Sequence, residues 1–102
     1  MKVLMLNGSP HEHGCTYTAL CETAKALNEQ GIETEIVWIG KEPLEGCRGC
    51  AACSKLWKCV VEDKVNEFAL KAAEADGFIF GSPVHYAGAS GAITSFMDRA
   101  FY

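Results

Sequence analysis

No apolar run in these 102 residues approaches the ~20 that a membrane-spanning helix needs. Basic residues are few: nine Lys and Arg stand against thirteen Asp and Glu, for a formal net charge of −4. That balance argues against nucleic acid, whose binding needs a positive face, and against a polybasic membrane surface. No secretory leader is expected, because Met1-Lys2-Val3-Leu4 runs into Asn7-Gly8 too soon, and the expected compartment is the cytoplasm. Prolines number three and no low-complexity linker is present, which makes one domain the simplest organisation. Two familiar phosphate signatures are absent as well. There is no Gly-Lys-Ser/Thr ending of a Walker A loop, and no GxGxxG dinucleotide pattern.

What is present alternates. Lys2 to Leu6 is a short, nearly continuous apolar run that stops at Asn7-Gly8-Ser9-Pro10, as a strand buried on both faces of a parallel sheet does. From about Thr16 to Glu29 the period becomes helical, with Leu20, Ala24 and Leu27 on one face and Gly31 as the stop. Ile32 to Ile39 is rich in β-branched residues and reads as a second strand. Gly40 to Val60 has no regular period. Asp63 is a candidate cap for a helix ending near Ala75, with Val65, Phe68, Ala69 and Ala72 at helical spacing. Gly77 to Phe80 is a third short strand, and it stops at Gly81-Ser82-Pro83, echoing Gly8-Ser9-Pro10. A last helix carries Ile93, Phe96, Met97 and Ala100 on one face. This order predicts an α/β fold, a parallel sheet with helices on both faces.

Each Gly-Ser-Pro segment follows a strand. The crevice at the carboxyl end of such strands is where ligands bind. The segment from Gly8 to Thr16 then opens a helix, whose free N–H groups attract an anion. Ser9, Thr16 and Thr18 offer hydroxyl donors, and His11 and His13 some positive character. The second loop offers Val84, His85 and Tyr86 as an apolar and aromatic edge for the ring that such a phosphate would carry. A polar connection with no ligand is the competing reading of each loop.

Six cysteines are many for this length, and four of them are crowded as Cys47-x2-Cys50-x2-Cys53-x5-Cys59. Zinc sites usually use separated pairs. Three cysteines at two-residue gaps with a fourth nearby suit an iron–sulfur cubane. Arg48, Lys55 and Lys58 would offset its charge. Zinc, disulfides and a metal-free fold stay open as alternatives. Cys21 reads as a small buried residue, and Cys15, at a helix N-terminus, is harder to dismiss although a structural role is the favoured reading.

In their order along the chain, Asn7-Gly8-Ser9-Pro10, Gly14-x-Thr16, the cysteine segment, Gly81-Ser82-Pro83-Val84 and Phe96-Met97-Asp98-Arg99 resemble the NADPH-dependent FMN reductase family, most closely its iron–sulfur flavoprotein branch. The resemblance implies a flavodoxin-like, doubly wound parallel sheet. Only its N-terminal part is present, with strand order 2-1-3, and missing sequence or another subunit would complete it. It also implies one FMN-binding domain over 1–102 with a cysteine-rich insert at about 44–62. By resemblance, Ser9, Pro10, His11, Gly14, Cys15 and Thr16 grip the FMN phosphate, and Pro83, Val84, His85 and Tyr86 line the isoalloxazine. Cys47, Cys50, Cys53 and Cys59 would hold a [4Fe–4S] cluster. Asp98 and Arg99 read as structural or interface residues, and no side chain is named as catalytic. Three positions depart from the family pattern: Cys15 replaces the usual Asn, His85 a Tyr or Phe, and Thr94 a frequent Lys. The implied activity is NAD(P)H-dependent and passes electrons to a flavin, quinone, iron–sulfur or protein acceptor, in a homo-oligomer. The alternatives are an electron carrier without a substrate of its own, and a flavin-free remnant whose cysteines hold zinc or nothing.

Overall fold

The apolar run at the start of the chain becomes the middle strand of a parallel sheet in the computed structural model, which describes residues 1–101. This strand, β1 (Lys2–Asn7), lies between β2 (Glu33–Trp38) and β3 (Gly77–Gly81), giving the expected order 2-1-3. The register sets Met5 beside Ile36 and Ile79, and Asn7 beside Trp38 and Gly81. Leu4, Met5 and Leu6 are all fully buried. Successive side chains on a strand point to opposite faces, so both faces of β1 are covered. That is why the run is continuous rather than alternating.

One face is covered by α1 (Cys15–Glu29), whose buried residue is Leu20. The helix ends where Gly31 takes a φ of +77°, a conformation that glycine adopts without strain. The other face carries α3 (Lys64–Ala72) and α4 (Gly91–Ala100), packed against each other. Val65, Phe68, Ile93 and Phe96 form one core with Leu4 and Leu6, and the Phe68 and Phe96 rings meet edge to face at 5.0 Å. Asp63 caps α3 as expected, accepting from Val65 N at 3.1 Å. The arrangement is flavodoxin-like.

Two elements were not legible in advance. The cysteine segment contains a single helical turn, α2 (Cys53–Leu56). The second Gly-Ser-Pro loop folds into a hairpin of β4 (Val84–His85) and β5 (Gly88–Ala89). Its turn residues, Tyr86 and Ala87, have φ of 48° and 58°. Turns of this kind favour Asn and Gly, so Tyr-Ala gave no turn signal.

The outer edge of β3 pairs with no strand among the described residues. Phe78, Phe80 and Phe101 cluster beside that edge, and Phe78 is 39% exposed. Among the described residues no helix is long and apolar enough to cross a membrane.

Candidate functional site

Between β1 and α1 the chain makes a tight loop organised by one buried side chain. Asn7 accepts from Ser9 N at 3.1 Å and donates to Glu12 O at 3.0 Å, so it ties the loop at both ends. Ser9 is buried, and its hydroxyl accepts from His11 N at 3.0 Å. The Trp38 indole donates to Ser9 O at 2.8 Å, anchoring the loop to β2. Gly14 precedes α1 and supplies no side-chain cap. The N–H groups of Cys15, Thr16 and Tyr17 meet no backbone acceptor among the described residues. They are orphan donors at the positive end of a 15-residue helix, a donor set suited to a phosphate.

The second loop is bound to the first. Gly8 N donates to Gly81 O at 2.8 Å, and the Ser90 hydroxyl donates to Gly8 O at 3.3 Å. Ser90 also caps α4, accepting from Ile93 N at 3.3 Å. Ser82 Oγ accepts from Ser90 N at 2.9 Å. A Cβ on Gly8 would lie 2.5 Å from Ile93 Cδ1 and 2.9 Å from Gly81 O, so the close approach requires glycine. The two Gly-Ser-Pro segments therefore sit side by side at the carboxyl ends of adjacent strands. Around them Pro10, His11 and Cys15 are exposed, and Gly14, Thr16 and Pro83 are half-buried. Val84, His85 and Tyr86 stand in solvent on the hairpin, Tyr86 fully exposed.

The four clustered cysteines share one hollow. Cys47, Cys50, Cys53 and Cys59 line it with Val60, Val61 and Arg99. All four are free thiols, Cys47 and Cys50 exposed and Cys53 and Cys59 half-buried. Gly49 N donates to Cys47 Sγ at 3.3 Å. Among the described residues, no three His, Cys, Asp or Glu side chains gather around the point that one metal ion would occupy. Four thiols around a common apolar hollow, two of them accepting N–H bonds, form a donor set that fits an iron–sulfur cluster.

Arg99 is the best-satisfied polar group of this region. Its side chain is 1% exposed. Nε donates to Cys59 Sγ at 3.4 Å; Nη1 donates to Glu45 O at 3.2 Å and to Asp63 Oδ2 at 2.7 Å. Nη2 donates to Val61 O at 2.9 Å and to Asp63 Oδ1 at 2.7 Å. The hydrogen bond to Asp63 pushes the guanidinium pKa above its ordinary value. Burial pushes the Asp63 carboxyl up, but the bonds from Arg99 and Val65 outweigh it, and the net direction is down. Burial likewise pushes the Cys59 thiol up, while the Val61 backbone, the Arg99 bond and the Arg99 charge bring it below its ordinary value.

Sequence reasoning had not singled out Asn7, Trp38 and Ser90 as organisers of the loops. For Asn7 a signal existed. An Asn two residues before Ser, at the end of a strand, can fold its side chain back onto the backbone. Trp38 and Ser90 act across 29 and 82 residues, and no local pattern announces them.

Residues 1–102 match the family described as NADPH-dependent FMN reductase. Among curated proteins, the chain is 41% identical over 100 residues to an iron–sulfur flavoprotein of Methanocaldococcus jannaschii, covering 98% of this chain and 52% of that protein. It is 32% identical over 99 residues to an iron–sulfur flavoprotein of Archaeoglobus fulgidus, covering 97% and 45%. An iron–sulfur flavoprotein of Methanosarcina thermophila is 29% identical over 100 residues, covering 98% and 52%. The chain spans about half the length of the curated relatives it matches.

Proposed function

Because the chain belongs to the NADPH-dependent FMN reductase family, we propose that it carries the phosphate side of an FMN site in an oxidoreductase that takes electrons from NAD(P)H. The onward acceptor is a flavin, a quinone or an iron–sulfur cluster. The observation that carries this reading is the pairing of the two Gly-Ser-Pro loops through Gly8, Gly81 and Ser90. Bound FMN supplies hydride acceptance and one-electron release. The protein's own part is to hold and orient it. Ser9, Pro10, His11, Gly14, Cys15 and Thr16 hold the phosphate, with the orphan N–H groups of α1 as the main donors. Pro83, Val84, His85 and Tyr86 line the ring, and the hairpin turn at Tyr86 fixes how that edge is presented. Cys47, Cys50, Cys53 and Cys59 hold a [4Fe–4S] cluster, which supplies a one-electron relay. Zinc would need its thiolates about 2.3 Å from one point. The four thiols lining one hollow, at the compact spacing of the segment, support a cluster.

A second reading is an electron carrier serving a protein partner. The exposure of Cys47 and Cys50 favours it, since a relay near the surface can exchange electrons with another protein. Anaerobic purification followed by a visible spectrum, iron and sulfide analysis and NADPH oxidation tests these readings. A flavin spectrum with NADPH turnover on free flavin or quinone supports the oxidoreductase. A flavin spectrum without turnover supports the carrier, and a colourless protein overturns both.

A further inference from the structure

Arg99 has five guanidinium N–H donors, and all five are engaged. Their acceptors are not scattered. Glu45 O lies two residues before Cys47, the first cysteine of the cluster segment. Cys59 Sγ is the last cysteine, Val61 O lies two residues beyond it, and Asp63 caps α3. One buried side chain, delivered by α4, thus pins both ends of the segment that carries all four thiols. The bidentate pair with Asp63 fixes the plane of the guanidinium, and that plane aims Nε–H at the Cys59 sulfur.

We propose that Arg99 is a positioning residue for the cluster thiols, closing the cysteine segment and donating a hydrogen bond to Cys59 Sγ that makes reduction of a bound cluster easier. The inference rests on the cluster reading above. Reduction adds one electron and makes or breaks no bond; the electron comes from the reductant of the proposed activity. Added negative charge spreads onto the cysteine sulfurs, so an N–H aimed at one of them stabilises the reduced form more than the oxidised form. Lysine at this position would keep the charge but has three donors on a single nitrogen, and so cannot serve both ends of the segment at once.

The test compares wild type, Arg99→Lys, Cys59→Ser and the double variant. Each is loaded anaerobically with iron and sulfide, then followed by iron content, the electron paramagnetic resonance spectrum of the reduced protein, and potentiometric titration. In Arg99→Lys the reduction equilibrium should weaken about tenfold, a midpoint lower by about 59 mV for one electron. On the Cys59→Ser background that shift should disappear. An Arg99→Lys protein that keeps native circular dichroism but takes up less iron supports the closing role. Wild type grown with ¹⁵N-arginine gives a measurement that needs no folded Arg99 variant. A ¹⁵N hyperfine coupling to the reduced cluster that persists in Arg48→Lys is expected, since Arg48 and Arg99 are the two arginines of the chain. An unchanged potential in loaded Arg99→Lys, or a loaded wild type without the ¹⁵N coupling, overturns the role of Arg99 and leaves the cluster reading standing. A wild type that takes up no iron overturns the cluster reading itself, and this role with it.

Discussion

A methyl group at position 8 would meet Ile93 Cδ1 at 2.5 Å and the Gly81 carbonyl at 2.9 Å. The first neighbour is the end of a side chain and can move; the second is backbone and cannot move cheaply. Gly8→Ala should therefore lower stability by ~1–3 kcal/mol, as overpacking of a close contact does. Thermal or denaturant unfolding would measure it. Adding Ile93→Val should recover only part of the loss, and full recovery would mean that the Gly81 carbonyl does not constrain the approach. The sequence displayed Asn7-Gly8-Ser9-Pro10 as a breaker, and β1 ends at Asn7. It did not reveal that Asn7 holds the loop together from inside, because a breaker and an organiser look the same in one dimension.

The first turn of α3 combines two duties. Asp63 caps the helix through Val65 N and grips Arg99 with both oxygens. Its carboxyl titrates below its ordinary value in the folded chain, so the unfolded chain binds a proton more readily there. The stabilisation is complete well above the unfolded pKa of about 3.9 and is lost as pH falls through the lower folded value. Acid unfolding monitored by circular dichroism should thus begin below about pH 4. Asp63→Asn should cost on the order of 3 kcal/mol at neutral pH, because it leaves Arg99 buried without its countercharge. It should also flatten the acid limb. An acid limb as steep as that of wild type would show that other carboxylates govern it. The cap was legible, since Asp before an apolar helical period is a local signal. The ion pair was not, because its partner lies 36 residues away on another helix.

At the scale of the molecule, the strand order 2-1-3 came from the family resemblance, but three parallel strands could be read from short apolar runs separated by helical periods. The hairpin of β4 and β5 could not, because two-residue strands carry no period and Tyr-Ala is an unusual turn. The open side of β3 was expected from the count of strands, and the aromatic group beside it makes that edge adhesive. A polypeptide of residues 1–102 should self-associate as its concentration rises, as light scattering coupled to size-exclusion chromatography would detect. Phe78→Lys should reduce that association by placing a charge at the edge. Association unchanged by the substitution would locate the contact elsewhere.

The ties from Gly8 to Gly81 and Ser90 also set a schedule for biosynthesis. The loop that begins at Gly8 is made 82 residues before the Ser90 hydroxyl that closes on it. At ~5–20 residues per second, the loop waits roughly 4–16 s for that partner to be added. Until then β1 and α1 can pair and pack, but the loop lacks the side that Gly81 and Ser90 provide. On the proposed FMN reading, a nascent chain stalled before the third strand lacks half of the loop pair, and cofactor binding should follow docking of the third βα unit.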